Sequence, residues 1–276
     1  MTVTTETARS QAAPKYTRQT VLSTRLWSSE KLFSIRTTRD PGFNFVPGQF
    51  ARLGLAILPG APETPTEWRA YSMVSHPDED ALEFFSVIVP NGKFSTALAR
   101  LQPGEPLWID KTSFGFLTLE RFTDGEDLWL IATGTGLSAY LSMLQDPQTW
   151  VRFKHIILVH GVQYAHELAY RDELLRIGAK HAPNQLLYIP ITSQEHTAPE
   201  LSPALKSLTA PARITTLLDN GELEHRVGIA LDPSRSRVML CGNPAMVTDM
   251  RTRLSSMGFA PGRRGVAGNL AVENYW

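Results

Sequence analysis

The sequence predicts an α+β chain of two domains, an antiparallel β-barrel followed by a doubly wound parallel α/β domain. Three observations carry this. From Tyr16 to Ile109, short strand-like segments are separated by Pro, Gly, Asp and Asn clusters, the pattern of an antiparallel barrel or sandwich. After Phe116, continuous apolar runs such as residues 128–132 alternate with helical stretches, as buried parallel strands do in strand–helix–strand units. The length, 276 residues, exceeds one typical domain. We expect a mobile tail over residues 1–13, the barrel domain over 14–115 and the α/β domain over 116–276.

In the first half the expected strands are 20–26, 32–36, 50–55, 70–74, 82–89 and 107–109. Turns such as Asp40-Pro41-Gly42, Pro47-Gly48 and Pro103-Gly104 separate them. The proline-bearing stretch 58–67 reads as a surface loop. Next come Arg69, Ala70, Tyr71 and Ser72. On a strand, Arg69 and Tyr71 share one side, Ala70 and Ser72 the other. A planar cation then lies beside an aromatic face and a small hydroxyl, groups suited to a phosphate, a flat ring and a ring nitrogen. An edge strand with an exposed Arg and a half-buried Tyr reads equally well from these four residues alone. Pro90-Asn91-Gly92 makes a turn, and residues 93–101 read as a short helix. Lys93, Ser95 and Thr96 stand at its N-terminus, where backbone N–H groups and the dipole suit a phosphate. Ser95 as a simple helix cap explains the same pattern. It is not a Walker loop, because Val87 stands where the first glycine is required and Phe94 follows the lysine.

In the second half, apolar strands are expected at 128–132, 156–159, 186–189 and 237–240, with helices at 137–145, 165–177 and 245–257. Thr133, Gly134, Thr135 and Gly136 lie where strand gives way to helix, the place a doubly wound sheet holds a pyrophosphate. Ala139 takes the place of the third fingerprint glycine. Cys241, Gly242, Asn243 and Pro244 follow the last of these strands and open a helix, with Pro244 suited to its first turn. Cys241 either faces the ligand crevice or is a small buried hydrophobe. No nearby base suggests a thiolate nucleophile. The sequence ends Glu273-Asn274-Tyr275-Trp276. An aromatic pair at a frayed terminus should pack into a protein groove or on a cofactor ring. Glu273 reads as a proton relay or a surface charge.

Lys+Arg and Asp+Glu both total 27, so no global field draws the chain to nucleic acid or membrane. The single cysteine excludes an internal disulfide and a Cys-rich metal site. The seven histidines lie apart, and no metal is expected. His160 and His166 read as capping or surface residues, and the acidic pairs Asp172-Glu173 and Glu222/Glu224 as solvated faces. No apolar run is long enough to span a bilayer, and the first 13 residues lack a secretory core, so a cytoplasmic location is expected.

Taken in order, Arg69-Ala70-Tyr71-Ser72, Pro90-Asn91-Gly92-Lys93-Phe94-Ser95, Ala132-Thr133-Gly134-Thr135-Gly136, Cys241-Gly242-Asn243-Pro244 and Glu273-Asn274-Tyr275-Trp276 form a set. Over residues 16–276 the chain resembles the bacterial ferredoxin (flavodoxin)–NADP reductase family. The resemblance implies FAD on the barrel, with Arg69 on its pyrophosphate, Tyr71 against the isoalloxazine and Ser72 near N5. Ala70, Val87, Ile88 and Val89 would complete that cavity. The backbone of Gly92, Lys93 and Phe94, with Ser95 and Thr96, would hold the pyrophosphate, and Trp276 beside Tyr275 would cover the adenine. The second domain would bind NADPH, with Thr133, Gly134, Thr135 and Gly136 near its phosphates. Arg213, Gly242 and Asn243 would complete that site, with Cys241 beside the nicotinamide.

The implied reaction is hydride transfer from nicotinamide C4 to flavin N5, then two single-electron steps to ferredoxin or flavodoxin. Ser72, Cys241 and Glu273 are the implied catalytic residues, with Ser72 and Glu273 moving the proton. A monomer meeting its carrier through transient electrostatic contacts is expected. Arg39, Arg52 and Lys93 are candidates for that contact, or simply a solvated surface.

The sequence departs from the family pattern at Gln163 and Gln194, where relatives usually carry arginine, while Arg213 matches. A neutral amide cannot replace a bidentate guanidinium at a 2′-phosphate, so acceptance of NADH beside NADPH is expected. Two rival readings stand beside this one. The first is an NAD(P)H reductase component of an oxygenase system, for which one cysteine excludes an internal Cys-ligated iron–sulfur cluster. The second is a non-enzymatic FAD-binding module, which would have no need of the Gly134/Gly136 turn.

Overall fold

The structure, a computed structural model, describes residues 14–28, 31–57, 64–195, 211–263 and 266–274. Its first half is an antiparallel sheet of six strands: β1 (Tyr16–Ser28), β2 (Leu32–Thr38), β3 (Phe50–Leu55), β4 (Glu67–Ser72), β5 (Ala81–Val87) and β6 (Pro106–Asp110). The strand order is β4-β3-β6-β1-β2-β5. A Met73–Phe84 bridge joins the two outer strands and curls the sheet towards closure, which removes the exposed edges that strands otherwise present. Ile35, Leu53, Met73, Phe84, Leu107 and Ile109 fill the interior. Helix α1 (Lys93–Arg100) adds Phe94 and Leu98 to that core.

The second half is a parallel sheet of five strands in the order β11-β10-β7-β8-β9. Its strands are β7 (Asp127–Thr133), β8 (His155–Val162), β9 (Leu186–Thr192), β10 (Ser236–Gly242) and β11 (Leu270–Asn274). Its helices are α2 (Leu137–Gln145), α3 (Pro147–Arg152), α4 (Arg171–Gly178), α5 (Ile214–Asp219), α6 (Glu222–Val227) and α7 (Pro244–Ser256). Two apolar layers, one around Leu158 and Tyr140 and one around Trp129 and Ile157, cover the two faces. That is why β7, β8 and β10 read as unbroken apolar runs. The chain steps from β7 to β8 and β9 on one side, then crosses to β10 on the other. The ligand crevice of such a sheet opens at this reversal, between β7 and β10.

Helix α2 docks the two halves. Ser138, Ser142 and Gln145 lie at helical spacing along one face. Ser142 Oγ donates to Ser75 O at 2.8 Å, Gln145 Nε2 to Val74 O at 2.8 Å, and Ser138 Oγ to Thr135 O at 2.8 Å and Phe85 O at 3.4 Å. The helix is buried from Leu137 to Leu144, so Ser138 and Ser142 satisfy carbonyls that packing removes from water, while Gln145 does so from the exposed end.

Helices α3, α5 and α6 were not expected from the sequence, and two expected elements take another form. The helix expected over 165–177 is broken into a 3-10 turn at Ala165–Glu167 and α4. Tyr170 at the break has a left-handed φ of 58°. Its ring packs 4.2 Å from Trp27 and 5.2 Å from Phe85, and its hydroxyl donates to Glu83, so tertiary contacts hold it out of the helix. The C-terminal stretch expected to fray is instead β11 as far as Asn274, pairing in parallel with β10. The aromatic pair Tyr275 and Trp276 lies outside the described residues.

Candidate functional site

Two cavities meet between the halves. The barrel-side cavity, about 490 Å³, is walled by Phe50, Arg69–Ser72 of β4, Ser86, Val87 and Val89, then Phe94 and Ser95 of α1, with Thr135, Glu273 and Asn274 closing it from the parallel sheet. The sheet-side cavity, about 510 Å³, lies over the β7–β10 crevice. Thr133–Thr135, Gly161–Gln163, Gln194, Arg213, Gly242 and Asn243 line it, with Lys31, Leu32 and Val87 from the barrel. Val87 and Thr135 line both, so one wall is shared.

On β4, Tyr71 is half-buried and stacked on Phe94, with ring centroids 6.0 Å apart and planes 23° apart. Burial raises the Tyr71 hydroxyl pKa above its ordinary value, opposed by a hydrogen bond with Ser86 and the charge of Arg69. Arg69 is exposed; its guanidinium lies 5.7 Å from the Phe94 ring and donates to Trp68 O at 2.8 Å. Ser72 is buried at the end of the strand. The N-terminus of α1 carries no side-chain cap. Ser95 instead binds the preceding turn, accepting from Val89 N at 3.0 Å and donating to Gly92 O at 3.3 Å. The N–H groups of that first turn therefore have no side-chain acceptor.

At the crevice, two glycines let two loops touch. A Cβ at Gly136 would lie 2.5 Å from Cys241 O. Gly242 has φ +132°, and a Cβ there would lie 2.7 Å from Thr133 O. Asn243 N donates to Thr133 Oγ1 at 2.8 Å, sealing the contact. Asn243 Oδ1 in turn accepts from Ala245 N at 2.9 Å, capping α7.

His160, expected at the surface or as a cap, is fully buried. Burial pushes its pKa down to about 4, so the ring is neutral. Nε2 lies 3.1 Å from Gly134 O and Nδ1 3.4 Å from the Tyr188 hydroxyl. The consistent tautomer donates from Nε2–H to Gly134 O and accepts at Nδ1. This ties the glycine turn to the sheet beneath it. His166 is exposed and stacks on Tyr164 at 5.5 Å.

Glu273, on β11, points into the barrel-side cavity. A Cβ at Gly115 would come within 2.9 Å of its Oε2, so Gly115, at φ +103°, leaves room for the carboxylate. Its Oε1 is buried with no hydrogen-bond partner among the described residues. Burial raises the Glu273 pKa to about 7, against the lowering effect of a backbone hydrogen bond from Phe116.

Residues 130–252 match the family described as the oxidoreductase NAD-binding domain. The chain is 38% identical over 270 residues to a ferredoxin–NADP reductase A of Sorangium cellulosum, covering 94% of this chain and 90% of that protein. It is 35% identical over 262 residues to the ferredoxin–NADP reductase of Pseudomonas aeruginosa, covering 92% and 95%. The chain belongs to the ferredoxin/flavodoxin–NADP reductase family. The solved ferredoxin NADP+ reductase of Neisseria gonorrhoeae, with bound FAD and NADP, superposes with a TM-score of 0.85 at 33% identity, over 96% of this chain and all of that one. A ferredoxin reductase of a carbazole 1,9a-dioxygenase superposes at 0.67 and 22% identity over 96% of this chain and 71% of that one, a likeness of fold alone.

Within this reductase-family frame the structure gathers Arg69, Ala70, Tyr71, Ser72, Val87, Val89, Phe94, Ser95 and Glu273 around one cavity. Thr133, Gly134, Thr135, Arg213, Gly242 and Asn243 surround the other. Some expected residues line neither. Ile88 packs against the barrel core, Gly92, Lys93 and Thr96 flank or form the first turn of α1, and Gly136 lies behind the glycine turn. Cys241 packs in the core with Tyr140 and Ala271 and is fully buried. Arg39 is neither a solvated charge nor a docking residue. It donates to the carbonyls of Phe43, Pro77 and Glu79, stapling two barrel loops. Glu173 is no solvated face either, pairing with Arg25 of the barrel at 3.2 Å. Lys31 and Phe50 escaped the sequence reading as site residues, and His160 was read only as a cap or surface residue. Only His160 left a signal there, a polar residue inside the apolar run of β8.

Proposed function

We propose that the chain is a FAD-dependent reductase that passes electrons between NADPH and a ferredoxin or flavodoxin. The observation that carries this is the wall shared by the two cavities at Val87 and Thr135. It brings a ring held in one cavity against a ring held in the other, the proximity that transfer between them requires. When bound, FAD accepts two electrons from the nicotinamide and releases them one at a time.

The residues present fit that cofactor. Tyr71 and Phe94 offer a flat aromatic wall, the uncapped first turn of α1 offers N–H donors, and Arg69 stands beside it for a pyrophosphate. Glu273, whose Oε1 has no hydrogen-bond partner among the described residues, lines the same cavity as Ser72. We assign these two to proton movement: a carboxyl titrating near neutrality can give and take a proton at working pH. Cys241 is assigned to shaping the nicotinamide end, since its thiol packs inward while its neighbour Gly242 lines the cavity.

Gln163 and Gln194 line the sheet-side cavity together with Arg213. Two amides and a guanidinium select a 2′-phosphate less strongly than three guanidiniums, so NADH should serve beside NADPH. Among the described residues no helix is long and apolar enough to cross a membrane. We place the protein in the cytoplasm as a monomer that meets its carrier in brief, charge-guided encounters, with exposed cations such as Arg52 and Lys93 on the barrel.

The test is an absorption spectrum of the purified protein, followed by anaerobic addition of NADPH and, separately, NADH. Flavin bands that bleach with both nucleotides are expected. Bands that never bleach would favour a binding module, and a colourless protein that FAD cannot reconstitute would overturn the function.

A further inference from the structure

We propose that Lys31 reaches from the barrel into the dinucleotide cavity and supplies a cation to the dinucleotide's phosphates, determining affinity from the opposite domain. This rests on the reading of that cavity as the NADP(H) site. Lys31 sits just before β2, and its backbone is pinned: its N–H donates to Ser28 O at 3.3 Å and its carbonyl accepts from Ile88 N at 2.8 Å. That pinning holds the side chain in the cavity wall beside Leu32 and Val87.

The side chain is 44% exposed, and its Nζ lies 2.6 Å from Glu167 Oε1, across the seam between the halves. Glu167 is nearly buried and its other oxygen is committed, accepting from Gln163 N at 2.9 Å and Tyr164 N at 3.4 Å. Burial alone would raise its pKa, but Lys31 and these two N–H groups hold it below the ordinary carboxylate value. An ammonium has three donors, so one bond to Glu167 leaves two for a ligand.

The charge count in the cavity makes that matter. Among the described lining residues the cations are Lys31 and Arg213 and the acids are Glu167 and Asp249, so the lining is formally neutral. A dinucleotide brings a charged pyrophosphate and, for NADPH, a 2′-phosphate as well. With amides at Gln163 and Gln194, Lys31 is half of the positive charge that faces it. Glu167 then competes with the phosphate for the same ammonium.

Lys31→Gln and Glu167→Gln separate this role from a mere clamp between domains. Both remove the ion pair, but Glu167→Gln keeps an acceptor oxygen for the loop N–H groups and releases Lys31 to the ligand. Binding of NADP+ and of NAD+ to the FAD-loaded protein is measured by calorimetry at low and physiological salt, beside a thermal melt of each variant. Lys31→Gln should weaken NADP+ about fivefold to tenfold, Glu167→Gln should tighten it about twofold or more, and Lys31→Arg should bind like the parent. Equal weakening of NAD+ puts Lys31 on the pyrophosphate, and weakening of NADP+ alone puts it on the 2′-phosphate. Unchanged binding in Lys31→Gln, or the same direction of change in both Gln variants, overturns the proposal while the dinucleotide reading stands. A parent protein that binds neither nucleotide overturns that reading and the proposal with it.

Discussion

Burial shifts both Glu273 and His160, and they titrate with opposite consequences. The Glu273 carboxyl, raised from 4.5 to about 7 by burial, keeps its proton in the folded chain at a pH where the unfolded chain has lost it. Stability from this group is therefore full at acid pH and declines as pH rises through that window. Its assigned proton role predicts a limb near pH 7 in the pH profile of carrier reduction. Glu273→Gln should abolish that limb and lower the rate about 10²-fold or more; an unchanged profile would remove Glu273 from the mechanism. His160 works the other way. Its pKa falls from 6.5 to about 4 on folding, so the unfolded chain takes up a proton first and stability is lost as pH falls from 6.5 towards 4. The shift corresponds to a pH-dependent difference on the order of 3 kcal/mol. Denaturant melts at pH 7 and 4.5 should show the stability gap between parent and His160→Asn narrowing at the lower pH. The Glu273 contribution is common to both proteins and cancels in that gap.

The glycine turn after β7 and the turn after β10 are made for contact with each other. Gly136→Ala would drive a methyl into the carbonyl of Cys241, which is backbone and cannot swing aside. The loops must part, so a loss of about 1–3 kcal/mol is expected, with weaker dinucleotide binding read by calorimetry. Helix α2 offers a separate test of how the halves are joined. Ser142→Ala leaves the Ser75 carbonyl without its side-chain donor in a buried seam. The expected cost is about 1–3 kcal/mol in denaturant melts, with the FAD spectrum unchanged.

At the scale of the whole molecule, surface charge bears on the encounter with a carrier. The exposed barrel cations, Arg52 and Lys93 among them, should speed encounter with an acidic carrier, so kcat/KM for the carrier should fall as ionic strength rises. A flat salt dependence would instead point to apolar docking. We take the division between the halves to fall at 115/116, in the stretch between β6 and β7 that also carries Gly115 and Phe116 against Glu273. On that division the barrel-side cavity is completed by the second domain, through Thr135, Glu273 and Asn274.

Much of this was legible in the residues. Turn clusters between short strand-like runs located the barrel strands, unbroken apolar runs located β7 to β10, and the strand-to-helix glycines located the crevice. Local signals suffice there because each depends on neighbours in sequence. Helix α3 went unread, although Asp146-Pro147 is an equally local start signal, with Asp146 accepting from Gln148 N at 2.9 Å. What the sequence by itself determined is therefore the two-part architecture, the family motifs and the amides at 163 and 194. Only the tertiary structure decided which of those residues face a cavity. Arg39 became a staple, Cys241 core, His160 a buried anchor and residues 270–274 a strand, because each depends on partners far along the chain. Lys31 joined Glu167 across 136 residues of sequence, and no local pattern encodes that distance.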